Sequence, residues 1–256
     1  MLSITEPDSC ISKAIPLDRL FREYTAGESL SEICAIVAEA YRETCLHECS
    51  LLESLHDFDS AEASVCYRLA NLDRIRSQST PIPHMPFLDL AIIFYVSFAE
   101  DEWFTTIAVT ETLMQSWGIS DASWLYTVAH RNTCRLFPAR MESMTSLLNS
   151  LLPEQEMIDD IPLPLFVLSN SRRMYGSTVI LYKGLLKSSA GVLGDDLIII
   201  PSSIHELILL PASACNSAES IKDMVLYANR TVLDADDVLS DAVYYYDRKR
   251  DKLKIL

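Results

Sequence analysis

The chain has 256 residues, a length that suits one large domain or two small ones. Hydrophobic residues make up 49% of it and charged residues 22%, as in globular proteins, which excludes a chain that is disordered throughout. The net charge of -15 is unevenly distributed: residues 1–160 carry 25 acidic and 10 basic side chains, whereas residues 161–256 carry 11 of each. Because negative charge repels phosphate groups, we expect neither nucleic acid nor a membrane surface as a partner.

Cysteine usage and hydropathy predict a cytoplasmic protein. The seven cysteines are odd in number and have no CxxC spacing, so we expect no disulfide framework. Glu6 and Asp8 precede any apolar run, which is not typical of a signal peptide. The most apolar segment, Leu90–Ala99, has only ten residues, whereas a membrane-spanning helix needs about 20.

Residues 1–60 are predicted to form an N-terminal helical segment. Apolar spacing predicts a short helix over Leu17–Tyr24. Ser29 and Glu32 have the spacing of a capping box, so a second helix is expected to begin there and to run to about residues 45–49. The polar segment Ser50–Ser60 is predicted as a loop.

Residues 61–152 are predicted to form a first small α+β unit. Period-2 alternation over Val65–Leu69 predicts a half-buried strand, and a proline-rich loop follows over Ser77–Pro86. Two runs of β-branched and aromatic residues, Leu88–Phe98 and Phe104–Thr110, predict a hairpin.

Two helices are predicted in the rest of that unit. The first is expected to be capped by Ser120, and the second to cover Met141–Leu152. The residues predicted to form the buried stripe of the first helix are Trp124, Leu125, Val128 and Ala129. The segment 153–164 has three prolines and four acidic residues, and we predict a linker there.

Residues 165–256 are predicted to form a second α+β unit, with mainly antiparallel strands and hairpins. Its predicted strands are Leu165–Ser169, Thr178–Tyr182, Leu197–Ile200, Leu207–Leu210, Val243–Tyr246 and Leu253–Ile255. Its predicted helices are Leu185–Leu193, ending at Gly194, and Ser217–Asn229, capped by Asn216. The fold class is therefore α+β. Leu197–Ile200 and Leu207–Leu210 are apolar on both faces, so we expect cover on both sides of their sheet.

Six sequence blocks form a recognisable pattern in this order along the chain. They are Phe87–Ala91, Trp117–Ile119, Val167–Asn170, Leu197–Glu206, Leu239–Asp241 and Tyr244–Tyr246. With these blocks the chain resembles, from about Leu17 to its end, a bacterial domain-of-unknown-function family common in anaerobic gut Gram-positive bacteria. Members usually carry Gly-Ala where this chain has Gly176-Ser177. The resemblance implies one continuous fold and a bacterial cytosolic setting, and it assigns no activity and no site residues.

The most polar motif is Pro201–Glu206, with sequence PSSIHE, between two apolar strands. The hydroxyls of Ser202 and Ser203, the imidazole of His205 and the carboxylate of Glu206 suit a ligand site or a nucleophile with its base. The alternative is a turn whose serines bond to the backbone. If His205 and Glu206 begin a strand, they point to opposite faces, so Glu206 does not orient His205 and we assign no catalytic residue.

The loop Ser169–Gly176 offers two further candidate ligand-binding residues, Asn170 and Arg172. Arginines here suit a carboxylate or phosphate, but one glycine and no helix start at P-loop spacing argue against a phosphate cradle. The alternative is a polar hairpin that docks onto the acidic first part of the chain.

No sequence motif predicts a metal or a cofactor. In Cys45–Cys49 the two thiols lie on one side of the predicted helix, whereas His47 projects from the other, so they do not complete a zinc site. The chain has no GxSxG, HExxH, GxGxxG or Walker motif, and only six glycines.

The leading functional hypothesis is a non-catalytic cytosolic protein that binds another protein through its acidic N-terminal half. The alternative is a small-molecule enzyme or ligand sensor with a site between the two α+β units around PSSIHE. Two other interpretations of the acidic charge stay open: it keeps the protein soluble, or it mimics DNA.

Overall fold

The structure, a computed structural model, describes residues 2–5, 11–15, 17–53, 55, 57–78, 80–100, 103–150, 152, 158 and 163–256. The chain divides into two compact units. The first unit comprises Met1–Tyr67, Gln78–Met85 and Ile93–Thr133, and the second unit comprises Arg68–Ser77, Pro86–Ile92 and Cys134–Leu256. The linker at 153–164 stays a prediction, because residues 153–157 and 159–162 lie outside the described part of the chain.

The described helices are distributed along the whole chain. The α-helices are α1 Leu17–Thr25, α2 Leu30–Glu53, α3 Phe58–Ala61, α4 Leu72–Ser77, α5 Glu111–Ser116, α6 Ala122–Leu136, α7 Met144–Asn149, α8 Leu185–Leu193 and α9 Ala218–Thr231. Short 3-10 helices cover Glu62–Ser64, Gly176–Leu181, Ala212–Ala214 and Ala235–Asp237.

Two antiparallel sheets complete an α+β fold and confirm the predicted fold class. The strands are β1 Leu2–Thr5, β2 Ile11–Ile15, β3 Val65–Asn71, β4 His84–Phe87, β5 Leu90–Glu100, β6 Trp103–Ala108, β7 Ala139–Ser143, β8 Phe166–Asn170, β9 Leu197–Ile200, β10 Leu207–Pro211, β11 Tyr244–Asp247 and β12 Lys252–Ile255. The first sheet has the order β1-β2-β6-β5-β3, with β4 paired to β5. The second has the order β12-β11-β9-β10-β8-β7.

The predicted capping box begins α2. The Ser29 N–H donates to the Glu32 carboxylate at 2.8 Å, and the Glu32 N–H donates to Ser29 Oγ at 3.3 Å. The helix then continues to Glu53, beyond the predicted end, and the Asp57 side chain caps α3 by accepting from the Ser60 N–H. The loop predicted over Ser50–Ser60 is therefore wrong over residues 50–53, where α2 continues, and over residues 58–60, where α3 begins after its N-cap Asp57.

Burial corrects two predictions from periodicity. The side chains of β3 are buried on both faces, Cys66 as completely as Val65 and Tyr67, so β3 is not a half-buried strand. In α6 the predicted stripe holds for Leu125, Val128 and Ala129, but Trp124 is half-exposed.

Two segments have a different secondary structure from the predicted one. Residues 139–143 form β7 ahead of the shorter helix α7, where one helix over Met141–Leu152 was predicted. The predicted strand Thr178–Tyr182 is instead the 3-10 helix Gly176–Leu181, buried over most of its length. Its Thr178 hydroxyl accepts the Leu69 N–H at 3.0 Å, a long-range contact that overrides the β-propensity of Thr-Val-Ile.

The second sheet has apolar side chains on both faces, as predicted. Leu197, Ile199, Leu207 and Leu209 are completely buried on one face. Ile198 and Leu210 lie on the other face, in one cluster with Ile221 and Val225 of α9. Their neighbours Ile200 and Ile208 are only partly buried, so α9 covers this face incompletely.

Candidate functional site

The Pro201–Glu206 loop joins β9 to β10 and is closed by its own polar groups. The Ser203 N–H donates to the Glu206 carbonyl at 3.2 Å, and the His205 N–H donates to Ser203 Oγ at 3.0 Å. Ser203 is buried, whereas Ser202, His205 and Glu206 are partly buried. This is the geometry of a turn in which a serine side chain satisfies the backbone, the alternative considered for this motif.

The His205 ring is held at both nitrogens. Its Nδ1 accepts the Tyr175 backbone N–H at 3.2 Å, and its Nε2 lies 3.6 Å from Asp237 Oδ1. A neutral imidazole in this setting carries its proton on Nε2, and its single lone pair on Nδ1 is occupied by the amide. His205 therefore lacks the free lone pair that a general base needs, and the geometry indicates a positioning role.

Asp237, and not Glu206, is the carboxylate that faces His205. The hydrogen bond from His205 is the main cause that holds the pKa of Asp237 below its ordinary value. The Ile204 N–H donates to the Asp237 carbonyl at 2.9 Å, so side chain and backbone attach the same residue to the loop. A separation of 32 residues along the chain hides this pairing from any local pattern.

Tyr175 connects the loop to β3. Its ring stacks on the His205 ring with centroids 5.9 Å apart, and the Arg68 guanidinium lies 4.6 Å from its centroid. Tyr175 also has a left-handed backbone, with φ of 51°. Such a conformation in a bulky residue is strained, and the surrounding contacts maintain it.

Gly176 lies directly against both β8 and the PSSIHE loop. A Cβ there would lie 2.0 Å from Ser169 Oγ and 2.4 Å from the His205 carbonyl oxygen. Ser169 Oγ donates to that carbonyl at 2.8 Å, and Ser177 Oγ donates to the Ile204 carbonyl at 2.7 Å. These two hydroxyls therefore clamp the backbone of the PSSIHE loop, and Gly176 makes room for the clamp. The Gly176-Ser177 pair is the feature of the sequence that corresponds to this clamp, although it did not predict the clamp.

Asn170 organises its own loop. Its Oδ1 accepts the N–H groups of Arg172 and Met174 at 3.0 and 3.3 Å, and its Nδ2 donates to the Met174 carbonyl at 2.7 Å. The Arg172 side chain is exposed, and Arg173 pairs with Glu142 at 3.0 Å. The structure thus places Asn170 beside Met174, with its amide engaged in the backbone of the loop.

A third polar cluster, absent from the candidate residues, joins three of the sequence blocks. Asp89 accepts from the Ser240 hydroxyl at 2.5 Å and from the Tyr244 hydroxyl at 2.7 Å. Burial raises the pKa of Tyr244 well above its ordinary value. The neighbouring Tyr245 donates to Asp196 at 2.6 Å, and this bond is the main cause that raises the pKa of Tyr245 to about 12.

An apolar groove of about 650 Å³ lies beside α9, and we call it the α9 groove. Its floor comes from the partly covered sheet face, including Ile200, Ile208 and Leu210, and its wall comes from α9, including Met224 and Val225. Of the candidate residues, Ser202 lines this groove, whereas Ser203, His205, Glu206, Asn170 and Arg172 do not. The ligand role of those five residues stays a prediction.

A second apolar groove, of about 490 Å³, lies between α1 and α2 in the first unit, and we call it the N-terminal groove. Its lining residues are Leu20, Phe21, Tyr24, Leu30, Ile33, Cys34 and Val37. Phe21, Tyr24 and Leu30 are 52%, 54% and 67% exposed, unusual values for large hydrophobic residues that adjoin one another.

A family model matches residues 1–248, almost the whole chain, and its description is a family of unknown function (DUF5688). The chain belongs to DUF5688. No curated protein and no solved structure matches it. Family membership confirms the resemblance at the level of an unknown-function family, and any functional role for a residue of this DUF5688 protein rests on its geometry.

The described residues contain no group of three or more His, Cys, Asp and Glu side chains arranged to hold a metal ion. The side chains of Cys45, His47 and Cys49 lie outside the described part of this DUF5688 chain. None of its described helices combines the length and the apolar character that a membrane span requires.

Proposed function

We propose that this protein is a non-catalytic binding module and that its N-terminal groove receives an amphipathic helix of another protein. The observation that carries the proposal is the exposure of Phe21, Tyr24 and Leu30 along one groove. Contiguous exposed apolar side chains are typical of interaction surfaces, and an apolar channel between two helices suits the apolar face of a third.

Charge supports a basic partner. Glu28, Glu32 and Glu39 are exposed on α2 or directly before it, and residues 1–160 hold all of the excess negative charge of the chain. The net negative charge of this part of the chain attracts a basic partner over a distance and accelerates its association, whereas the apolar groove supplies most of the affinity. The side chains of Glu43, Glu48 and Glu53 lie outside the described part of the chain.

One further feature supports binding over catalysis, and another supports a bacterial cytosolic setting. The lone pair of His205 is occupied by the Tyr175 amide, which argues against proton transfer in the PSSIHE loop. The scattered cysteines, together with the resemblance to a bacterial family, support the cytosol of a bacterium as the location.

The test measures the affinity for a synthetic helical peptide with leucines on one face and lysines on the other. A matched peptide has glutamates in place of the lysines, and fluorescence anisotropy gives both dissociation constants. We expect micromolar or tighter binding of the lysine peptide alone, weakening as salt is added. Tighter binding of the glutamate peptide, or no binding of either, would contradict the proposal.

Variants locate the binding. Leu30→Ser should raise the dissociation constant about tenfold, because Leu30 would lose its burial against the peptide. Tyr227→Ser, which changes an equally exposed residue of α9, is the matched control and should leave binding unchanged. Glu28→Gln combined with Glu39→Gln should weaken binding about threefold and reduce its salt dependence. Equal effects of Leu30→Ser and Tyr227→Ser would exclude the N-terminal groove.

The second candidate function is the small-molecule site around PSSIHE. One observation favours it: Ser202 of that loop lines the α9 groove. The loop and this groove both belong to the second unit, and the position of the site between the two α+β units stays a prediction.

A further inference from the structure

The α9 groove has a uniform chemical character. Nineteen described residues line it, and none carries a charged side chain, although 22% of the chain is charged. The floor and wall are aliphatic, with Ile200, Ile208, Leu210, Ile221 and Met224 among them. A groove of about 650 Å³ with such a lining has the size and the apolar surface of small-molecule sites in proteins.

Polar groups lie at opposite ends of this groove. Ser202 follows β9 at the end of the β9–β10 pair where Ile200 lies opposite Ile208. Asn216 and Ser217 precede α9 beyond the other end of this pair, where Leu197 lies opposite Pro211. Between these ends the lining is mostly aliphatic, with Ser220 and Asn229 of α9 as its other polar residues, so the groove suits an elongated molecule.

The polar groups differ in how far they are engaged. Ser217 Oγ accepts the Ser220 N–H at 3.2 Å, and Asn229 Nδ2 donates to the Ser240 carbonyl at 3.0 Å. Within the described part of the chain, Ser202 Oγ has no such partner, and Ser202 uses its N–H for the Ile200 carbonyl. The Ser202 hydroxyl is therefore available to a ligand.

We propose that the α9 groove binds a neutral small molecule with a long aliphatic body and one hydroxyl or carbonyl group, which bonds to Ser202. A charged head group is disfavoured, because an ion that leaves water needs a counter-ion and the described lining residues offer none. A hydroxyl or a carbonyl needs only one hydrogen bond, which Ser202 supplies as donor or as acceptor. This proposal is independent of the N-terminal groove, so either of them can fail alone.

The test uses the neutral, environment-sensitive dye Nile red, followed by competition with dodecanol and dodecanoate below their aggregation concentrations. We expect Nile red fluorescence to rise on binding, and dodecanol to displace the dye at least tenfold better than dodecanoate does at pH 8. The two competitors have the same chain length, so they differ only in the charge and shape of the head group. Better displacement by dodecanoate, or no dye binding, would overturn the proposal.

Two variants on the same helix separate the groove from the outer surface. Met224 is 58% exposed and lines the groove, whereas Tyr227 is 68% exposed and does not. We expect Met224→Glu to weaken Nile red binding at least tenfold and Tyr227→Glu to leave it unchanged, with both variants folded by circular dichroism. Equal binding by Met224→Glu and wild type would overturn the site.

Ser202→Ala tests the polar contact. Loss of the Ser202 hydroxyl should raise the apparent dissociation constant of dodecanol about threefold to tenfold, which is the effect of one hydrogen bond between uncharged groups. An unchanged dodecanol affinity would overturn the role of Ser202.

Other occupants give different results. A second copy of the chain would produce a dimer in analytical ultracentrifugation that Met224→Glu dissociates and that excludes the dye. A helical peptide of another protein would displace Nile red where dodecanol does not. Either result would overturn a neutral small molecule as the ligand.

Discussion

The PSSIHE loop and the α9 groove meet at Ser202 but use their side chains in opposite ways. In the loop, Ser203 and His205 bond to backbone groups of the same unit, and Ser169 and Ser177 clamp its carbonyls. In the groove, aliphatic side chains such as Met224 remain exposed beside a hydroxyl without a described partner. In this protein the polar motif stabilises the fold, whereas the apolar groove, which no sequence motif marks, is the better candidate for binding.

If that contrast is right, substitutions in the clamp change stability, whereas substitutions in the groove change binding. The largest effect is expected at Gly176. Gly176→Ala places a methyl group 2.0 Å from Ser169 Oγ and 2.4 Å from the His205 carbonyl, so the clamp must open. We expect the free energy of unfolding to fall by about 3 kcal/mol or more, measured by urea denaturation.

Gly191→Ala is the matched control for this substitution. Gly191 lies within α8, and a Cβ there meets nothing within 4 Å. The free energy of unfolding should rise by up to about 1 kcal/mol, because alanine favours the helix. If both glycine variants lost the same stability, close packing at Gly176 would not be the reason.

The next largest effect is expected at His205. His205→Leu leaves the Tyr175 N–H without its acceptor and removes the contact with Asp237, so stability should fall by about 2 kcal/mol. Nile red binding in the α9 groove should stay within about twofold of wild type, because His205 does not line the groove. If His205→Leu kept its stability but lost Nile red binding, the loop would act in binding and not in stability, and the contrast between loop and groove would be wrong.

A smaller effect is expected at Tyr244. Tyr244→Phe removes the hydrogen bond to Asp89 but keeps the ring, so the free energy of unfolding should fall by about 1–2 kcal/mol. The exposed Tyr227→Phe should change it by less than about 0.5 kcal/mol. Thermal denaturation of both variants measures the difference, and equal melting temperatures would contradict a stabilising role for the hydrogen bond between Tyr244 and Asp89.

The smallest effect is a pH dependence at Asp237. The lowered pKa means that the folded state favours the carboxylate, so this contribution is present above the unfolded value near 3.8 and is lost as the pH falls through the folded value. The side chain is 37% exposed, so solvent screening keeps the contribution below about 1 kcal/mol. Asp237→Asn should be less stable than wild type at pH 6, and the gap should close below pH 3.8. A gap that widened on acidification would contradict the pairing with His205.

Local chemistry explains which elements could be predicted. The start of α2 depends on Ser29 and Glu32, three residues apart, and the end of α8 depends on Gly194, whose φ of 73° suits glycine. The hairpin β11–β12 was predicted from two strand-like runs that flank a short polar segment, and in the structure Asp247 accepts the N–H groups of Lys249 and Arg250 within that turn. Each of these signals acts over fewer than five residues.

The candidate site was predictable only in part. PSSIHE was selected for its chemical groups, and Ser202 does line a groove. Neither Asp237 as the partner of His205 nor Ser169 as the donor to its carbonyl follows from spacing, since 32 and 36 residues separate them. The N-terminal groove was also missed, because the spacing of Phe21, Tyr24 and Leu30 indicates an apolar face but not whether another element covers it.

The α+β class, the capped ends of α2 and α8, the apolar strands β9 and β10 and the uneven charge all follow from the amino-acid sequence. These features depend on backbone conformation, on side-chain period and on composition, which are all local or additive. Three features follow only from tertiary contacts: Gly176–Leu181 is a 3-10 helix, His205 accepts the backbone N–H of Tyr175, and α9 leaves part of its sheet face uncovered. Those features depend on contacts between residues that are far apart in the sequence, so they are established only when the chain folds.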